Sequence, residues 1–277
     1  MGSFKDVVGH RDIINYIKNA VKMDQVSHAY IMNGERGAGK KLLAYLFAMT
    51  LLCEEGGEEP CNTCHSCRQA ETGNHPDIIR VTHEKPNSIS VDDIREQVNN
   101  TIMIKPYQGP YKVYIIDHAD LMTPQAQNAL LKTIEEPPQY AVIMLLTENA
   151  EALLPTINSR CVMLRLRYIK DKLIKKYLME SLKVPDYKAD LCTAFAQGNM
   201  GHAIMLANSE HFNEIREAAV HLLRHVHDME LSEIVEAVNS VTAFKLEITD
   251  YLDIIAVWYR DVLLYKATRD MDTVVFK

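Results

Sequence analysis

HAYIMNGERGAGKK, residues 28–41, joins a short apolar run, Ala29 to Met32, to a glycine-rich turn that opens a helix-compatible segment from Lys40 to Leu52. A strand, then G-x-x-x-x-G-K, then a helix is the context that a phosphate-binding loop requires. Gly34, Gly37 and Gly39 let backbone N–H groups wrap phosphate oxygens, and Lys40 would reach the outer phosphates. The next position normally carries Ser or Thr, whose hydroxyl holds Mg²⁺. Here it is Lys41, which can neither coordinate a metal nor tolerate one closely. The stretch therefore predicts P-loop topology without its catalytic use, and puts ATP binding in doubt. The plainer alternative is a glycine turn kept by the fold without nucleotide.

Working outward, four further apolar runs read as strands: Asp77–Val81, Lys112–Asp117 (KVYIID), Ala141–Thr147 and Cys161–Leu166. Helical patterns separate them. Ile13, Ile14, Ile17 and Val21 are spaced for one helix, and Ser90 with Asp93 signals a capped helix to about Met103. Thr123-Pro124 opens another helix to about Glu135. Five short strands alternating with helices predict an α/β fold, a parallel sheet covered on both faces. The KVYIID run ends in Asp117, where such a carboxylate would bind Mg²⁺ through water; the neighbouring acid that polarises an attacking water is replaced by His118. Asp120 is expected to point elsewhere.

The chain has 277 residues, enough for two or three domains. With 47% hydrophobic and 24% charged residues it is not a disordered chain, and few Gly and Pro favour helices over a sandwich. No apolar run reaches the roughly 18 residues that span a bilayer, and MGSFKDVVGH has no secretory signal core, so the expected location is the cytoplasm. The net charge of −7 argues against an autonomous nucleic-acid binder, which is usually basic; any DNA contact is expected to be local or shared with other chains. After Tyr168 the pattern is helical, punctuated at Pro185 and Gly198–Gly201, and from 209 onward helical apart from a weak strand-like run at the end.

Cys53, Cys61, Cys64 and Cys67 are spaced C-x7-C-x2-C-x2-C. Two-residue gaps let thiolates converge on one tetrahedral ion, so the segment at about 53–67 predicts a structural Zn²⁺ with no open catalytic position. His65 and His75 are less favoured substitutes, and Cys161 and Cys192 read as core residues.

Taken in order, FKDVVGH (4–10), HAYIMNGERGAGK (28–40), the four-cysteine insert, IIDHADLMTPQAQNALLKTIEEPP (115–138) and NSRC (158–161) make the chain resemble the clamp-loader branch of the AAA+ proteins. The resemblance implies an AAA+ P-loop domain over 1–166 with a parallel five-stranded sheet, a helical lid over 167–208, and a helical collar over 209–277 that stops short. In the branch's active ATPase subunit the P-loop ends in Thr, the strand ends Asp-Glu, and an Arg lies in the lid's Gly-Ser-x-Arg-Asp segment. Here Lys41, His118 and Gly201 stand at those positions. The Ser-Arg-Cys piece is present, and its Arg160 would be an arginine finger reaching a neighbour's site in trans; the plainer alternative for an arginine at a strand edge is a local salt bridge. The implied protein is a non-catalytic subunit of the DNA polymerase III clamp loader. Its partners would be gamma/tau and delta subunits, with the sliding clamp and primer-template DNA met through the complex, and no membrane. The alternative is an active gamma/tau-type ATPase. A P-loop nucleotide kinase with a zinc lid would need Ser or Thr after Lys40 and an Arg-rich phosphate lid, and neither is present.

Overall fold

A computed structural model describes residues 2–209, 220–226 and 248–271, with 229–230, 232–233, 235–236, 239 and 274. It divides into two compact units, Met1–Arg167 and Tyr168–Lys277. The further division expected at 208 stays a proposal.

The first unit is built on five parallel strands: β1 (Ala29–Asn33), β2 (Ile78–Val81), β3 (Lys112–Ile116), β4 (Ala141–Thr147) and β5 (Val162–Arg165). Their order across the sheet is β2-β3-β4-β1-β5. The side-chain period of two sends alternate residues to opposite faces, and both faces are buried. Tyr30, Met32, Val142, Met144 and Leu146 pack on one side with helices α1 (Arg11–Lys22) and α2 (Lys40–Leu52). Ala29, Ile31, Tyr114, Ile143 and Leu145 pack on the other with α5 (Pro124–Glu135) and the segment from α4 (Val91–Ile94) to Ile102. Burial on two sides explains why β3 and β4 are buried throughout and, apart from Lys112 and Thr147 at their ends, apolar rather than alternating. α2 is the most enclosed helix, buried along almost all of its length. Between α2 and β2 lies a short α3 (His65–Glu71).

One expectation needs correction. Ser90 does form a capping box with Asp93, but the helix does not reach Met103. After Ile94 it widens into a π turn over Arg95–Asn99, and residues 101–109 are irregular. Two buried charges hold that irregular segment from beneath. The Asp77 carboxylate accepts from the amides of Tyr107, Gln108 and Gly109 at 2.5, 2.8 and 3.1 Å. Lys112 Nζ donates to the carbonyls of Thr101 (2.8 Å) and Ile104 (3.2 Å). Buried polar groups must be satisfied, and backbone groups outside the helix satisfy these two better than a continued helix would.

In the second unit α7 (Asp171–Glu180), α8 (Asp186–Ala196) and α9 (Met200–Asn208) pack through Ile174, Leu178, Ala189, Cys192, Phe195 and Leu206. Cys192 is a core thiol, as expected, pushed up to about 11 by burial. Cys161, expected in the core as well, is only half-buried at the entry to β5. A further helix runs from Ile248 to Thr268. The strand-like run at the end, and much of 209–247, lie outside the described residues.

Candidate functional site

The loop Gly34–Gly39 sits between β1 and α2, at the carboxyl edge of the sheet where ligands of open α/β folds bind. Backbone shape explains its glycines. A Cβ on Gly34 would lie 2.9 Å from Leu166 Cβ and 3.2 Å from the Leu166 carbonyl, and Gly39 has φ +99°. Lys40, buried at 8% exposure, folds back into the loop, where Nζ donates to Gly34 O at 2.5 Å and Glu35 O at 2.9 Å. Desolvation lowers its pKa; the carboxylates of Glu148, Asp117 and Asp120 pull the other way.

Two contacts to the carboxylate after β3 complete the cleft. Lys41 Nζ lies 2.6 Å from Asp117 Oδ2, at the end of β3. His118, in the left-handed region at φ 50°, brings Nε2 to 3.4 Å from the same oxygen. Asp120 points elsewhere, as expected: its Oδ1 accepts from Thr147 Oγ1 at 2.9 Å and from the Glu148 amide at 3.3 Å. Thr147 ends β4, and its carbonyl accepts from the Gly34 amide at 3.1 Å. Sequence reading missed Thr147, and it missed His10, whose Nε2 lies 3.0 Å from the Ala38 carbonyl. That carbonyl can only accept, so Nε2 carries the proton. Burial lowers the His10 pKa, which keeps the ring neutral. The signal for His10 was the quoted FKDVVGH segment, read there only as a family mark.

An Mg²⁺-nucleotide, which P-loop folds of this type imply, does not fit the metal side of this cleft. The hydroxyl ligand is absent, an ammonium is on the carboxylate, and an imidazole replaces the acid beside it. Gly201 lies in the second unit, one residue into α9, where Asn199 Oδ1 caps the helix through the His202 amide. It brings no cation.

Arg160 follows the short helix α6 (Pro155–Asn158), just before β5. Its Nη1 donates to Thr156 O at 3.0 Å and Ser159 Oγ at 3.3 Å, and Nη2 pairs with Glu135 Oε1 at 2.9 Å. The side chain remains 40% exposed, and so does 46% of its carboxylate partner. Gln127 braces the segment before α6, donating to Met122 O and Ala152 O and accepting from the Leu154 amide.

The four cysteines converge. Their Sγ atoms all lie within 4.8 Å of one another, and Cys61 and Cys67 are 3.9 Å apart. Sulfurs around a tetrahedral ion with bonds of about 2.3 Å stand about 3.8 Å apart. The backbone turns at the C-x2-C steps aim amides at sulfur: Cys64 N at Cys61 (3.3 Å) and Cys67 N at Cys64 (3.3 Å). The Thr63 hydroxyl, followed by the Cys64 and Thr63 amides, holds the Cys61 thiol down to about 6, whereas burial pushes Cys53 and Cys67 up. The set fits a metal ion held by four thiolates. His75 is not a ligand substitute. It is buried, its Nδ1 accepts from the Asp77 amide at 3.1 Å, and its Nε2 meets Ser66 Oγ at 2.9 Å. Ser66 Oγ donates to Leu52 O, so the histidine is the donor in that contact and ties the insert to the end of α2.

The sheet order, the glycine loop after β1 and the carboxylate after β3 define a AAA+ P-loop module. A chain of Hsp104 in its closed state shares the fold at a TM-score of 0.50 and 13% identity, covering 79% of this chain and 46% of that one. Sequence places it more narrowly. The family described as DNA polymerase III, delta subunit, matches residues 9–170, and the chain belongs to that family. It is 34% identical over 255 residues to DNA polymerase III subunit delta' of Bacillus subtilis, covering 91% of this chain and 76% of that one. It is also 30% identical over 296 residues to the tau subunit of the same organism, covering 99% of this chain and about half, 52%, of the relative.

Proposed function

We propose that the chain is a delta-prime-type subunit of the DNA polymerase III clamp loader that does not hydrolyse ATP itself and supplies Arg160 to a neighbouring subunit's site. The observation that carries this reading is the contrast within one AAA+ module. The parts needed for hydrolysis in cis are replaced or self-engaged at Lys41, Asp117 and His118. The arginine needed in trans is present and exposed on the same unit. A guanidinium stays charged and offers a planar fork to phosphate oxygens. Its pair with Glu135 is solvent-exposed, the kind worth about 0–1 kcal/mol, so a phosphate of higher charge displaces it readily.

The similarity to the delta' relative supports the assignment, and that to tau supports gamma/tau-type chains as neighbours. Delta, the sliding clamp and primer-template DNA follow as further members of the assembly. The thiolate cluster is read as a structural Zn²⁺ site, closed by four protein ligands and without a catalytic position. Among the described residues no helix is long and apolar enough to cross a membrane, which accords with work in the cytoplasm. The second reading, an active gamma/tau-type ATPase, draws on the tau similarity and is opposed by the residues at 41 and 118.

The test is the purified chain alone. It is expected to show no ATP turnover above background, and to co-purify with gamma and delta subunits when these are supplied. Turnover that follows the protein through purification and vanishes in Lys40→Ala would establish the active reading instead.

A further inference from the structure

The cleft is short of a hydroxyl and an acid, and it also contains a cation of its own. Lys41 stands one residue into α2, where a metal-holding hydroxyl would be. Its ammonium is 2.6 Å from Asp117 Oδ2, on the carboxylate that would hold the metal. His118 Nε2 approaches the same oxygen at 3.4 Å. The other nearby carboxylate after β3, Asp120, is taken by Thr147 and the Glu148 amide. Lys40 is likewise turned inward, onto the carbonyls of its own loop.

We propose that Lys41 is a tethered stand-in for Mg²⁺: its ammonium neutralises Asp117 where the divalent ion would, so the cleft takes no metal–nucleotide complex. The inference rests on the non-catalytic reading above and adds its cause, the ligand chemistry that the site refuses. An ammonium is a compact, strongly hydrated point charge, suited to a carboxylate but repelling a second cation beside it. The Lys41 side chain is 72% exposed, so its pair with Asp117 adds little to stability. Replacing it changes the site and leaves the fold intact.

The experiment uses the full chain and two probes: ATP, by calorimetry with Mg²⁺ present or simply omitted, and Mn²⁺ with ATP, by electron paramagnetic resonance. Chelators are avoided because they would attack the cysteine site. For the wild-type chain, Mg²⁺ is expected to leave ATP affinity unchanged within about twofold, or binding absent in both conditions, with no immobilised Mn²⁺ signal. Lys41→Thr, with Lys41→Ser as a second variant, is expected to bind ATP at least about tenfold tighter with Mg²⁺ than without, and to immobilise Mn²⁺. Lys41→Arg keeps the charge and is expected to behave as the wild type. Hydroxyl variants that gain no metal dependence, or an arginine variant that gains it, overturn the inference. Wild-type protein that binds Mg²⁺–ATP without hydrolysing it overturns the inference alone, whereas wild-type protein that hydrolyses ATP overturns the non-catalytic reading as well.

Discussion

At residue scale, function turns on which group holds which charge. Asp117 is an unremarkable strand-end carboxylate until Lys41 reaches it; Arg160 rests on Glu135. Histidines show the same logic toward protons. His75 donates from Nε2 and accepts at Nδ1, so both contacts require a neutral ring, and burial lowers its pKa below the ordinary 6.5; burial does the same to His10. A lowered histidine pKa means that the unfolded chain binds more protons. The stability it contributes is whole above about 6.5 and falls as pH drops toward the folded value. The melting temperature is therefore expected to decline on acidification below pH 6.5, and His75→Gln to shed part of that decline. A variant whose pH profile runs parallel to the wild type would show that His75 does not titrate this way.

Among elements, the insert between α2 and β2 and the segment between α4 and β3 are fastened differently. Four cysteine sulfurs, gathered closely enough to hold a metal ion, mark the first. Metal analysis of reduced protein is expected to find one Zn²⁺ per chain, and Cys61→Ser to lower the melting temperature without altering nucleotide binding. Freshly reduced protein without zinc would remove the site. Asp77, 1% exposed, holds the second through three amides. Hydrogen bonds to a charged group contribute about 1.5–3 kcal/mol, so Asp77→Asn is expected to cost on that order in urea unfolding. A loss under about 0.5 kcal/mol, typical of a surface change, would contradict this. These two elements also mark how far the sequence could be read. Cysteine spacing, strand runs and the glycine loop are local patterns, and each was legible. The end of the α4 helix was not, because it is decided by Asp77 and Lys112, buried side chains from β2's entry and β3. The pairs Lys41–Asp117, His10–Ala38 and Thr147–Asp120 were hidden for the same reason: each joins segments distant in sequence that only the folded unit brings together.

For the molecule as a whole, a chain with a net charge of −7 and a self-occupied P-loop is poorly equipped to act alone on DNA or on ATP. Its exposed arginine makes sense in an assembly, where a guanidinium supplied in trans accelerates phosphoryl transfer by about 10³–10⁵-fold in well-studied NTPases. A loader with several ATP sites loses only part of its rate when one finger is removed. The most direct test is therefore DNA- and clamp-stimulated ATP hydrolysis by a complex reconstituted with gamma/tau and delta subunits, carrying either the wild-type chain or Arg160→Ala. The variant is expected to fold and assemble normally yet lower the rate, with Arg160→Lys restoring little of it. An assembled Arg160→Ala complex that hydrolyses ATP at the wild-type rate would contradict the trans role and leave the chain as scaffold only.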